Sequence, residues 1–373
     1  MRLSPHLLVC ISGHGYGHVA QVAPILNALA ELIPDLRLTL RTTVPLAYLR
    51  KRITPEFHYL PEATDFGMIM HSALEVDAAA SMQAYAEFHN DWTAKVAAES
   101  QVIASLAPDM VLSDVAYLPL AGAAALGIPS AAMCSLNWAD VFSHYCGDQP
   151  GAAQILRQIE QAYLQATVFL RLKPAMPMPW LINQRSIGPV AQPGKNRRQE
   201  LNARLGLTEQ DKLVLVSMGG IATIMNIEQW PRLPNLSWLV PGSWLLDSKR
   251  TDMMALETLS MDFSDLLAST DLMLTKPGYG TFVEAACNGL PLLYVKRDEW
   301  PEQGCLIDWL QLNGLCRQLD AQQVQTGKFE QELQLLLNQS RPHPVNPTGK
   351  LEAANYLLSL LIQPAQSASH PHS

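Results

Sequence analysis

Gly13-His14-Gly15-Tyr16-Gly17-His18 stands between an apolar run, Leu7 to Ile11, and a segment, Val19 to Leu32, in which Val22, Ile25, Leu26 and Leu29 recur at helical spacing. The run predicts a buried first strand and the segment predicts a helix, so the glycines occupy the turn between them. Strand, glycine turn and helix together aim backbone N–H groups and a helix N-terminus at an anion. Gly13, Gly15 and Gly17 leave off the Cβ atoms that would keep a ligand away from the backbone. His14 and His18 add groups that move protons near neutral pH.

Working outward, strands and helices alternate. Leu36 to Val44 and Phe57 to Leu60 read as strands, and Asp77 to Leu106 as one long Ala-rich helical region. Asp109 to Asp114 is a buried strand ending on an acid, Leu118 to Leu126 a helix, and Ser130 to Cys134 a further strand. Repeated β-then-α order implies a parallel sheet covered on both faces. Prolines then cluster between Lys173 and Gly194, marking an inter-domain segment. A second series follows: Leu213 to Ser217 as strand into the Gly219-Gly220 turn, Trp238 to Val240, a short helix Phe263 to Ala268, and a strand Leu272 to Thr275. Pro277 to Gly280 is a turn, Thr281 to Asn288 a helix, Pro291 to Val295 a strand, and Leu351 to Leu361 a final helix. The expected fold class is therefore α/β, with two Rossmann-like doubly wound parallel sheets in series. Its boundaries are 1–185, 186–345, a C-terminal docking helix at 346–363 and a disordered tail at 364–373.

Composition narrows the function classes. The chain has 373 residues, a hydrophobic content of 48% and a net charge of -8. Full cores are expected, and the net charge disfavours a nucleic-acid groove; the basic run Lys195 to Arg198 carries no interleaved aromatics. The six cysteines have neither zinc nor redox spacing and read as reduced thiols of a cytoplasmic protein. No apolar run reaches membrane-span length, and the opening residues read as a mature strand rather than a targeting segment. The first glycine turn lacks the dinucleotide fingerprint and the acid that would follow the second strand, which disfavours a dehydrogenase. No P-loop pattern occurs, and no Asp-x-Asp pair points to a metal-held nucleotide.

His18 at the start of the first helix needs a partner to act as a base. Asp114 ends a strand on the same sheet rim and is the candidate; the alternative is that it caps the next helix near Tyr117. His14 is read as a ligand for a phosphate or sugar oxygen; the alternative is a hydrogen bond within the loop. Thr281 and Glu284 fit a capping box, or Glu284 accepts two hydrogen bonds from a ribose diol while Gly278 to Thr281 face phosphates. Lys276, Arg297, Asp298, Glu302 and Gln303 lie near strand C-termini, as does Ser217. There they are placed to read sugar hydroxyls and a pyrophosphate. Asn137, Trp138 and Asp140 follow a strand of the first domain; Trp138 reads as core or a packing lid, and the alternative is that the three are acceptor contacts.

The two glycine turns together resemble GT-B glycosyltransferases. They are more similar still to the glycosyltransferase-like N-terminal region of L-arabinokinases. The resemblance rests on His14 to His18, Leu112 to Val115, Leu170 to Pro179, Lys276 to Ala285 and Lys296 to Asp298, and extends to about residue 320. It implies an N-terminal acceptor domain and a C-terminal nucleotide-sugar domain facing across a cleft, with a UDP-sugar as donor substrate and no cofactor or metal. His18 matches the family's base and Asp114 its assisting acid. Glu284 matches the ribose-binding acid, and Glu302 and Gln303 the donor-sugar contacts. The glycine turns (Gly13, Gly15, Gly17, Gly278, Tyr279, Gly280) match donor-facing backbone. Arabinose phosphorylation belongs to a kinase domain outside the resemblance. The expected activity is metal-independent glycosyl transfer. A silent sugar-nucleotide-binding regulatory protein or subunit, and an epimerase on the same fold, are the alternatives.

Overall fold

The computed structural model describes residues 4–71, 75–218, 225–296 and 299–362. The first sheet contains β1 (His6–Ile11), β2 (Arg37–Arg41), β3 (His58–Leu60), β4 (Met110–Asp114), β5 (Ser130–Cys134), β6 (Val168–Leu172) and β7 (Gln184–Ile187). Their order is 3-2-1-4-5-6-7, and every pairing is parallel. The second contains β8 (Lys212–Ser217), β9 (Leu236–Val240), β10 (Met253–Ala255), β11 (Leu272–Thr275), β12 (Leu292–Val295) and β13 (Cys316–Leu319), in the parallel order 10-9-8-11-12-13. The central strands β1, β4 and β5 are buried along their length, as parallel strands covered by helices on both faces must be.

Strand order reverses between β1 and β4 in the first sheet and between β8 and β11 in the second. At such a switch point the connections leave in opposite directions and open a crevice at the strand C-termini. Register places Ile11 beside Asp114, and Ser217 beside Thr275. The histidine-bearing turn and the Lys276–Gly280 turn therefore each sit at the crevice of their own sheet.

The helix Gly17–Leu32 is the keel between the domains. It packs on the second-domain helix Tyr279–Cys287 and on the C-terminal helix Gly349–Ile362. A Cβ on Gly280 would lie 2.9 Å from the Cβ of Ala20, so glycine is required where these two helices cross. Val19, Ala23, Phe282 and Val283 belong to one apolar core that runs through both domains. Each such buried side chain contributes about 1.5–3 kcal/mol, so this seam outweighs any single polar bond across the interface.

Two expectations are corrected. The Ala-rich region is two helices, Ala78–His89 and Trp92–Leu106. Asp77 and Asp91 each cap a new N-terminus by accepting from a backbone N–H, and side-chain capping of this kind competes with helix continuation. The first sheet runs past residue 185 to Ile187, because the edge strand β7 is polar and half exposed and carries no apolar run to read. The C-terminal helix docks back onto the first domain, where Glu352 accepts from the N–H of Gly188 at 3.0 Å. Among the described residues no helix is long and apolar enough to cross a membrane.

Candidate active site

The first turn is built by its own backbone. The N–H of Ser12 donates to the carbonyl of Asp114 at 2.7 Å, and that of His14 donates to Ser12 Oγ at 3.2 Å. Gly15 has φ of 98°, in the left-handed region that favours glycine. Gly13 is needed for a different reason: a Cβ there would fall 2.2 Å from Thr43 Oγ1. Around Gly17 there is open space, so the N-terminus of the first helix faces a cleft.

His18 is 6% exposed and Asp114 fully buried. His18 Nδ1 lies 3.2 Å from Asp114 Oδ1. A carboxylate only accepts, so Nδ1 carries the hydrogen and Nε2 is left with the lone pair. Burial pulls the imidazole pKa down, but the adjacent Asp114 carboxylate and its hydrogen bond outweigh this and hold His18 well above its ordinary 6.5. Burial raises Asp114 in turn, opposed by His18. Asp114 does not cap the following helix, whose N-cap is Tyr117 without a side-chain bond. Cys134 Sγ is 4.0 Å from His18 Nδ1. These three donors are close enough to surround an ion. His18 Nδ1 hydrogen-bonds Asp114, and burial pushes the Cys134 thiol up to about 11. In Asp114→Asn the burial penalty remains without the countercharge. The His18 ring is then expected to titrate at lower pH than in the parent, below 6.5, as read by NMR of the imidazole resonances.

The cleft encloses about 150 Å³ and is lined by both turns: His14 to His18 and Gln21 on one side, Thr275 to Thr281 on the other, with Leu136, Trp300 and Glu302. The helix Tyr279–Cys287 begins at its floor, with Gly278 as N-cap. Thr281 is thus in its first turn and the expected capping box is absent. Glu302 crosses the domain boundary to accept from Ser135 Oγ, and also accepts from Trp300 Nε1 at 3.2 Å. Ser135 is in turn held by Gln21 through two hydrogen bonds.

Other expected residues lie elsewhere. Glu284 does not line the cleft; its carboxylate is buried in an ion pair with Arg52, which reaches across from the first domain. Asn137 caps the helix Trp138–Cys146 by accepting from the N–H of Asp140 at 2.8 Å. Asp140 accepts from Trp180 Nε1 at 2.7 Å, and Trp138 is fully buried. These three are therefore structural members of the first domain rather than cleft contacts. Gln303 is buried at the start of the helix Gln303–Asn313 and Ser217 lies at the end of β8; neither lines the cleft. Gly219, Gly220, Arg297 and Asp298 lie outside the described residues. Gln21, Leu136, Trp300 and Arg52 were not anticipated. Only Trp300, a large aromatic beside Glu302 after a strand, carried a sequence signal.

Solved structures share this architecture. The glycotransferase of kitacinnamycin superposes with a TM-score of 0.63 at 17% identity, covering 97% of this chain and all of that one. The calicheamicin glycosyltransferase CalG4 gives 0.62 at 16%, covering 98% of this chain and 100% of its own. The chain has the GT-B fold. A third GT-B structure, UGT2 of Phytolacca americana complexed with UDP-2-fluoro-glucose and pterostilbene, gives 0.56 at 16%, covering 96% and 94%. In sequence, the chain is 26% identical over 314 residues to L-arabinokinase of Arabidopsis thaliana, across 83% of this chain. The chain spans about 30% of the length of that relative. No family model matches.

Proposed function

We propose that the protein is a glycosyltransferase that moves a sugar from a nucleotide-diphosphate donor, a UDP-sugar, to an acceptor hydroxyl. The observation that carries this reading is the pair facing one cleft: the His18–Asp114 dyad, and opposite it the N-terminus of the helix Tyr279–Cys287 beside Lys276. His18 Nε2 takes the acceptor proton as the acceptor oxygen bonds to the anomeric carbon. The bond to the diphosphate breaks, and the charge that develops there is met by first-turn N–H groups and Lys276. Asp114 keeps the ring oriented and stabilises the imidazolium. Because helix and lysine meet the leaving-group charge, we read the reaction as metal-independent. UDP as the nucleotide is supported by the UDP-sugar in the Phytolacca structure.

The test is product formation. Incubation with a panel of UDP-sugars and hydroxyl acceptors is expected to release UDP only when donor and acceptor are both present, and to persist in EDTA. Donor binding without release would favour the regulatory alternative, and an isomerised sugar nucleotide the epimerase.

A further inference from the structure

Asp65 lies between β3 and the helix Ala78–His89, in a stretch without apolar periodicity. Its Oδ2 accepts from Trp138 Nε1 at 2.7 Å. Trp138 is fully buried, and a buried indole N–H without a partner is costly. The Trp138 ring in turn meets His14 edge-on, with centroids 5.5 Å apart, and lies 6.3 Å from the His18 ring. Gly67 closes the same loop over these rings. It has φ of 64°, and a Cβ there would fall 2.7 Å from the His14 imidazole and 2.9 Å from Trp138. The loop is therefore shaped to the two rings, and its acid holds one of them.

We propose that Asp65 is a positioning residue: through Trp138 it fixes both imidazoles of the glycine turn. Burial pushes the Asp65 carboxyl up, opposed by the charge of His18 and by the hydrogen bond from Trp138. The titratable groups in contact with His18 are Asp114 from β4 and Cys134 from β5. The kinetic consequence rests on the glycosyltransferase reading, whereas the structural one does not.

Asp65→Asn is the conservative control, because its amide oxygen still accepts from Trp138. In ligand-free protein the His18 ring resonances, followed by NMR, are expected to stay near those of the parent. The His14 ring resonances should stay in place. Asp65→Ala and Trp138→Phe break the bond itself. Both should displace the His14 and His18 ring resonances and lower kcat about tenfold to a hundredfold, with the donor KM changed far less. A loss in Asp65→Asn as large as that in Asp65→Ala would overturn the hydrogen-bond role. Unmoved ring resonances in Trp138→Phe, or a fall in Tm alone with ring resonances and kcat retained, would overturn the positioning role. If the parent shows no transfer at all, the glycosyltransferase reading fails while the NMR comparison still decides this one.

Discussion

His18→Ala is expected to lower the rate of sugar transfer by about 10²- to 10⁴-fold, the usual contribution of a positioned general base, while donor binding remains measurable. The two halves of the expectation have separate physical origins. The proton acceptor is lost with the imidazole, whereas Lys276 and the N-terminus of the helix Tyr279–Cys287 belong to the other domain and stay in place. The variant leaves Asp114 fully buried without its hydrogen-bond partner, and burial already raises that carboxyl. Asp114 is therefore expected to take up a proton more readily. His18→Gln, which keeps an amide near the carboxylate, serves as the folding control. Single-turnover UDP release and donor binding by calorimetry separate chemistry from affinity. Unchanged turnover in a folded variant would remove His18 from the mechanism.

A pH profile refines the same expectation. The base must be neutral to accept a proton, and Asp114 holds His18 protonated to higher pH than a free imidazole. The acid limb of kcat/KM in the parent should therefore lie above pH 6.5, and should move to lower pH in Asp114→Asn.

The sequence carried the central strands because β1, β4, β8, β11 and β12 are apolar runs ending at glycine, acid or lysine. A fully buried parallel strand has no other way to look. It also carried the His18–Asp114 pairing, because strand ends of one parallel sheet share a rim. The edge strands β7 and β13 were missed because their exposed polar positions break that pattern. Asp65 was missed for a related reason: a polar residue in a loop has no period, and its partner Trp138 is 73 positions away. Glu284 was misplaced by its surroundings. Its spacing from Thr281 suggested a cap or a ribose contact, yet Arg52, 232 positions earlier, takes the carboxylate. Neither residue marks the other in a single sequence.

That cross-domain pair gives the largest expected effect on stability. Arg52 and Glu284 are 11% and 4% exposed. Burial raises Glu284, with Arg52 opposing it. Arg52→Ala removes the countercharge and leaves a buried carboxylate, which costs about 3–5 kcal/mol. Adding Glu284→Gln removes the stranded charge and is expected to recover a large part of the loss. The pH dependence fixes the sign. With its cation gone, Glu284 has a folded-state pKa raised further above its unfolded value, so the folded variant binds the extra proton. Its deficit relative to the parent is full above that raised pKa. As pH falls through the raised value the carboxyl becomes neutral and the deficit shrinks. Urea unfolding of parent, single and double variants at neutral and mildly acidic pH reads all three terms. A deficit that is the same at both pH values, or that Glu284→Gln leaves untouched, would mean that Arg52 holds the domains together by packing its aliphatic stem rather than by its charge.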